Sequence, residues 1–108
     1  MRVNTQVILE TTDLADNITS DTIELDHIYG YSIYILYTGS GSVMCTTAKL
    51  EVSNDGVSWS TYHEFDIEGA ADTCTINATD VFYKKARVSL VVNAGTISPT
   101  MTVYKKGT

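Results

Sequence analysis

Residues 46–59 read TTAKLEVSNDGVSW, and this stretch decides the fold. Apolar and polar side chains alternate from Thr46 to Ser53, which is the period of a β-strand with one buried face. The residues that follow, Asn54-Asp55-Gly56, tolerate the positive φ angles that tight turns require. The sequence therefore predicts a strand, a hairpin turn and a returning strand that starts near Trp59.

The same alternation recurs on both sides of this stretch, and helical periodicity is nearly absent. Turn signals at Gly39-Ser40-Gly41-Ser42, Gly69-Ala70-Ala71-Asp72 and Asn93-Ala94-Gly95 separate the alternating segments. We predict about eight strands, near residues 3–10, 22–26, 31–38, 44–53, 58–66, 73–78, 84–93 and 97–105. Evenly spaced strands of this kind indicate an all-β fold, an antiparallel β-sandwich of jelly-roll or immunoglobulin-like type, in a single domain over residues 1–108.

Two segments leave alternatives open. Residues 13–21 are polar and form either a long loop or one helical turn. Residues 31–38 are apolar on both faces of a predicted strand, since one face carries Tyr31, Ile33, Ile35 and Tyr37 and the other carries Tyr34 and Leu36. Such a strand either lies centrally under cover, or its second face contacts another subunit.

Charge excludes one class of partner and leaves another open. The chain of 108 residues has a net charge of −6, which argues against nucleic-acid binding because phosphate contacts need a basic surface. Residues up to Asp80 carry all 13 acids against Arg2 and Lys49, a net −11, and the remainder carries five basic residues and no acid, a net +5. These charges either interleave once the chain folds or form a bipolar surface that favours assembly.

Neither export nor membrane insertion is expected. The first residues lack the apolar segment of a secretory signal, and the longest apolar stretch is too short to span a bilayer. Cys45 and Cys74 are the two cysteines, and reduced, buried thiols are the simpler interpretation, although a disulfide stays open.

Residues able to perform chemistry are scattered. His27 and His63 are the two imidazoles, and neither lies in a recognisable catalytic motif. The acidic series Asp66, Glu68 and Asp72 lacks the pattern of a calcium loop and is most simply a solvated loop. We therefore expect no enzyme, no metal and no cofactor.

Trp59 has three possible roles. Beside the hairpin, it caps the edge of the core, stacks on sugar rings from an exposed position, or contributes to a protein interface.

Several segments resemble small structural proteins of tailed and related bacteriophages. Leu50–Trp59 is similar to a strand followed by S-N-D-G-x-x-W in that family, although discoidin-type adhesion domains use a like hairpin. The likeness extends to Tyr29–Gly39, to Asp80–Val88 and to the closing Val103-Tyr104-Lys105-Lys106-Gly107. Lys85 and Ala86 depart from the family pattern, and the segment before Asp26 matches nothing in it.

The resemblance implies a non-enzymatic β-sandwich present in many symmetric copies of a virion. The first hypothesis is a capsid decoration or cement protein, a homo-oligomer expected as a trimer, assembled in the host cytoplasm and bound to the major capsid protein at the capsid surface. A tail, fibre or spike component is the second hypothesis, and a carbohydrate-binding or adhesion module is the third. The expected interface residues are Tyr29, Tyr31, Tyr34, Tyr37, Trp59, Lys84, Lys85 and Arg87.

Overall fold

Antiparallel strands form two sheets in the computed structural model, which describes residues 2–39, 45–68, 71–78, 81 and 83–107. The side chains of seven strand residues are excepted, namely Arg2, Val3, Glu68, Ala71, Asp72, Cys74 and Ala78. The strands in this part of the chain are β1 (Arg2–Glu10), β2 (Ile18–Thr19), β3 (Ile23–Glu24), β4 (Ile28–Gly39), β5 (Cys45–Ser53), β6 (Ser60–Glu68), β7 (Ala71–Ala78), β8 (Lys85–Ala94) and β9 (Ile97–Gly107). Each predicted strand has a counterpart, and β2 is additional.

The strand order is that of a jelly roll. Sheet A has the order β1-β9-β4-β7, and sheet B has the order β2-β8-β5-β6, with β3 also paired to β8. Apart from the β5–β6 hairpin and the step from β2 to β3, consecutive strands lie in opposite sheets, as in a double-sheet jelly roll. An immunoglobulin domain groups its strands differently. Of the two sandwich types left open by the sequence, the structure has the jelly roll.

The extra strand arises because one edge strand of sheet B is interrupted. Both β2 and β3 pair with β8, with Ile18 opposite Leu90 and Ile23 opposite Ala86. Between them, the buried Ser20 accepts the amide N–H of Val88 on its Oγ at 2.9 Å. A side chain thus replaces one backbone partner at the break. The nine strands are an eight-stranded roll with one divided edge.

The core fills the space between the sheets. Sheet B contributes the inward face that the alternation in residues 46–53 predicts, and this face is buried at Ala48, Leu50 and Val52. Sheet A contributes inward residues of β4 and β9, including Ile33, Ile35 and Met101. In the described part of the chain, the buried core cluster contains Ile8, Ile23, Leu25, Tyr31, Ile33, Ile35, Tyr37, Ala48, Leu50, Val52, Ile67, Ile76, Ala86, Val88, Leu90, Ile97, Met101 and Val103.

The predicted hairpin at Asn54-Asp55-Gly56 is confirmed, since it joins β5 to its antiparallel partner β6. Gly56 has a φ of +78°, which glycine adopts at little cost. The Asp55 carboxylate accepts the amide N–H groups of Val57 and Ser58 at 2.8 Å each and a hydroxyl hydrogen bond from Ser53 at 3.0 Å. These hydrogen bonds lower the pKa of Asp55 to about 2, with the Ser58 and Val57 amides as the main causes.

Other sequence predictions have mixed outcomes. The segment 13–21 contains β2 and no helical turn, because Ile18 pairs with β8. The turn at 93–95 is confirmed by Gly95, whose φ is +70°. Residues 40–42 and 69–70 of the other two predicted turns lie outside the described residues. Within the described ranges, the chain forms no helix with the length and apolar character that crossing a bilayer requires.

A candidate protein-binding face

The outer face of sheet A is built from cross-strand neighbours that project to the same side. Directly opposite residues in adjacent strands share a face of the sheet. Val7 of β1 lies opposite Thr102 of β9, which lies opposite Tyr34 of β4, which lies opposite Thr75 of β7. Two similar rows flank this one. In the first, Leu36 lies between Thr100 and Thr73. In the second, Tyr104 lies between Thr5 and Ser32, and Ser32 lies opposite Asn77. Together they cover all four strands.

We call this surface the neutral face. Its eleven members are Thr5, Val7, Ser32, Tyr34, Leu36, Thr73, Thr75, Asn77, Thr100, Thr102 and Tyr104. None of these side chains is charged. Charges appear at its margin, at Glu10 opposite Thr100 and at Lys106 opposite Gly30.

The neutral face exposes several large apolar side chains. Val7 is 53% exposed, Leu36 52%, Tyr104 43% and Tyr34 37%. The polar members carry hydroxyl or amide groups, and Ser32 donates a hydrogen bond to Asn77 across β4 and β7. Exposed aromatic and aliphatic side chains in a surface with little charge are typical of the centre of a protein interface.

The outer face of sheet B has the opposite character. Arg87 contacts Glu51 at 2.9 Å from Nε to Oε1, and the two lie directly opposite each other on β8 and β5. Lys85 binds both carboxylate oxygens of Glu24 at 2.8 Å. Here charges are numerous and paired, which is typical of a surface that stays in water.

The two-faced strand of the sequence analysis is β4. It is central in its sheet, between β9 and β7, but no described element covers Tyr34 and Leu36. The first alternative, a central strand under cover, is therefore wrong for its outer face. The second alternative, contact with another subunit, stays a prediction.

Of the four tyrosines expected at an interface, two are exposed and two are buried in the core. Tyr29 and Tyr34 are exposed, as expected. The expected exposure of Tyr31 and Tyr37 is wrong, because both point inward with Ile33 and are only 6% exposed. Burial, with a smaller contribution from Tyr62, raises the pKa of Tyr31 to about 12.

Trp59 packs on the charged face. The Arg87 guanidinium lies 4.1 Å from the centre of the indole ring, and Trp59 is half-buried. This cation–π contact joins the hairpin to β8, on which Arg87 also pairs with Glu51. Among the described side chains that pack against the core Trp59 is not included, so its contact with Arg87 lies on the outer face of sheet B rather than at the edge of the core, and the sugar-stacking and interface roles stay predictions.

The basic residues of the C-terminal part are partly neutralised by the fold. Lys85 and Arg87 pair with acids from earlier in the chain, so the charges interleave at these positions. Lys84 is exposed, and its amide N–H donates to Asn54 Oδ1 at 3.1 Å, which fastens the hairpin to the start of β8. The bipolar surface is thus weaker than the sequence alone suggests.

Among the described side chains, the remaining candidate residues form no group that could hold a metal ion. His27 is exposed in a turn before β4, and His63 lies against Phe65 on β6, with ring centres 5.7 Å apart. Asp66 accepts a hydrogen bond from Thr47 at 3.0 Å, while the side chains of Glu68 and Asp72 lie outside the described residues. Cys45 is half-buried rather than buried, and the side chain of Cys74 also lies outside that part.

The described surface has two shallow depressions, on either side of the edge-to-face pair Tyr62 and Tyr83. Their volumes are about 240 and 170 Å³. Sites for drug-sized molecules have volumes of about 300–1,000 Å³. The neutral face is a stronger candidate for a functional surface than either of these two depressions.

The sequence gives no match to a protein-family model and none to a curated protein. Solved structures share the fold. A protein derived from the SPBc2 prophage, YomS, is 8% identical with a TM-score of 0.59, over 96% of this chain and 92% of that one. A protein of Bacillus endospore appendages, described as disulfide-linked pili, is 9% identical with a TM-score of 0.59, over 97% and 88%.

A third similar structure is the carbohydrate-binding module of Cellvibrio mixtus lichenase 5A in complex with cellotriose. It is 11% identical with a TM-score of 0.51, over 98% of this chain and 88% of that one. At these identities the likeness shows a shared fold, and a jelly roll carries many functions. The class defined here is therefore a small jelly-roll β-sandwich with one neutral and one charged outer face.

Proposed function

We propose that this protein is a non-enzymatic structural component of a bacteriophage virion, most specifically a capsid decoration or cement protein. The neutral face carries the proposal, because it offers neighbours an uncharged surface with exposed Tyr34, Leu36 and Tyr104. A protein of net charge −6 whose charges on this sheet face are confined to the marginal Glu10 and Lys106 has a surface suited to contact rather than to solvation. Copies of the chain and the major capsid protein are its proposed partners.

Physical reasoning supports a role in a repetitive assembly. The neutral face has roughly half the area that each partner contributes to a standard interface, so a single contact on it is weak. In a shell, many weak contacts act together, and effective concentration turns them into stable attachment. The similarity in fold to a prophage-derived protein and to a pilus protein supports this class of function without fixing the particle.

Binding to particles tests the proposal. Leu36→Lys places an ammonium group in the neutral face, and its burial at an interface without a partner should lower particle binding at least about tenfold. Val57→Lys is the matched control, since Val57 is 82% exposed on the hairpin and the change in charge is the same. Equal binding of both variants, or a wild-type protein that never co-purifies with particles, would refute the proposal.

A tail, fibre or spike component is the alternative within the same class. It would use the neutral face in the same way, so the two differ in location and copy number rather than in surface chemistry. Hundreds of copies per particle support a shell protein, and a handful supports the tail. Immunogold labelling of intact particles gives the location directly.

The carbohydrate-binding or adhesion hypothesis rests on Trp59. Arg87 covers one face of the indole, which leaves at most the other face for a sugar ring. The fold shared with a carbohydrate-binding module is its other support. Binding on a glycan array that disappears in Trp59→Ala would favour this function over the virion proposal.

A further inference from the structure

The occupant of the neutral face is a second copy of the same chain: we infer that two copies associate face to face through sheet A, as a pair rather than as the trimer expected from the sequence. This deepens the proposed function and rests on it for its biological setting, but not for its physical basis. The basis is the hydrogen-bonding and charge character of the eleven residues that form the face.

Hydrogen-bonding chemistry makes the face self-complementary. Its polar members are threonines, one serine, one asparagine and the two tyrosines, and each of these side chains both donates and accepts hydrogen bonds. A face of carboxylates or ammonium groups cannot pair with its own copy. A hydroxyl-rich face can, and a two-fold interface requires the same patch to match itself.

Charge points to the same occupant. A basic or acidic partner surface would be matched by opposite charges on this face, yet the charges nearest to it are the marginal Glu10 and Lys106. The partner surface is therefore neutral as well. Of the two outer sheet faces in the described part of the chain, only this one is neutral, so a second copy supplies a matching surface.

The area of the neutral face limits how strongly two copies can pair. Four strands about 4.8 Å apart and three rows about 6.8 Å apart give a face of roughly 400 Å² per copy. A standard interface has about 800 Å² per partner, so pairing in solution should be weak. The free protein should be a monomer when dilute and should pair when concentrated.

The salt dependence of association distinguishes pairing through the neutral face from pairing through opposite charges. Two copies with a net charge of −6 each repel, and added salt screens that repulsion. Association through the neutral face should therefore strengthen between about 10 and 150 mM salt, over which the Debye length falls from about 30 to 8 Å. Pairing through opposite charges would weaken over the same range.

Sedimentation equilibrium over a wide range of protein concentrations tests the inference, because a weak pair forms only in concentrated solution. The wild type should show a monomer–dimer equilibrium, and Leu36→Lys should weaken it at least about tenfold. Val57→Lys should stay close to the wild-type value. A monomer at the highest concentration, a trimer, or equal effects of the two variants would overturn the inference.

A mixing experiment identifies the occupant as a copy of the chain. Leu36→Lys and Leu36→Glu should each associate poorly alone, while an equimolar mixture at low salt should associate better than either, because opposite charges then face each other across the interface. No gain on mixing would count against face-to-face pairing.

A chain that pairs in solution but never co-purifies with particles would refute the proposed function alone, and a particle-bound chain that never pairs would refute this inference alone.

Discussion

Arg87 holds its guanidinium 4.1 Å above the ring of Trp59, and this contact ties the β5–β6 hairpin to the charged outer face of sheet B. The same guanidinium pairs with Glu51 directly opposite on β5. Both contacts lie on the side of the molecule away from the neutral face. The stability of the hairpin and binding through sheet A should therefore be separable by mutation.

Arg87→Ala should lower the free energy of unfolding by about 1–2 kcal/mol, because it removes a cation–π contact and a half-buried ion pair together. Denaturant unfolding followed by Trp59 fluorescence measures this change. Lys49→Ala is the control, since the Lys49–Glu64 pair is longer, at 4.0 Å, and more exposed. That variant should lose less than about 0.5 kcal/mol. Comparable losses in the two variants would show that the stacking on Trp59 adds nothing.

Ser20→Ala tests the break between β2 and β3. It leaves the Val88 amide N–H without its 2.9 Å acceptor, so unfolding should become easier by about 1–3 kcal/mol. Hydrogen exchange at Val88 should accelerate at the same time. Ser60→Ala is the comparison, because Ser60 is exposed at the start of β6 and its removal should be nearly neutral. Unchanged exchange at Val88 would contradict the role assigned to Ser20.

Truncation of two adjacent residues of β4 should have different effects on stability and association. Ile35 is fully buried, and Ile35→Ala should cost about 2–5 kcal/mol of stability. Leu36 is half-exposed, and Leu36→Ala should cost less than about 1 kcal/mol while weakening association. Thermal unfolding of the two variants compares them. A large loss of stability at Leu36 would mean that the outer face of sheet A is part of the folding core.

The raised pKa of Tyr31 should make the free energy of unfolding fall at alkaline pH. Its pKa is about 12 in the folded protein and 10 ordinarily, so the unfolded chain loses this proton first as the pH rises. The contribution of Tyr31 to the free energy of unfolding is present in full below pH 10. It falls by about 2 kcal/mol between about pH 10 and 12. Tyr31→Phe should flatten this part of the stability profile, and Tyr34→Phe, on the exposed face of the same strand, should not. Parallel profiles for wild type and Tyr31→Phe would contradict the assignment.

Much of the fold was predictable because sheet faces alternate regularly. Ala48, Leu50 and Val52 are buried as the pattern indicates, and Asn54-Asp55-Gly56 forms the turn that its residue types favour. The strand β2 was missed because Ile18 and Thr19 lie in a mostly polar segment without apolar alternation, whereas the equally short β3 is marked by the alternating Ile23 and Leu25. Around β2, side chains replace backbone hydrogen bonds, as Asn17 and Ser20 do for β8.

The interface residues were harder to predict. The sequence grouped Tyr31 and Tyr37 on one face of β4 correctly, and the isoleucines between them marked that face as the inward one. The neutral face could not be assembled in advance, because it needs the order β1-β9-β4-β7, which brings together strands that are distant in sequence. Its signal in the sequence is the uncharged alternate positions of β4, β7 and β9.

Chemical modification of tyrosines tests the central claim most directly. Tyr34 and Tyr104 lie on the neutral face, and Tyr62, which is 50% exposed, is not a member of it but lies beside its β7 edge and is the internal control. Nitration, located by mass spectrometry of peptides, would be compared between dilute free protein and purified particles. Tyr34 and Tyr104 should be protected on particles while Tyr62 still reacts. Equal nitration of Tyr34 and Tyr104 in both states would contradict this prediction.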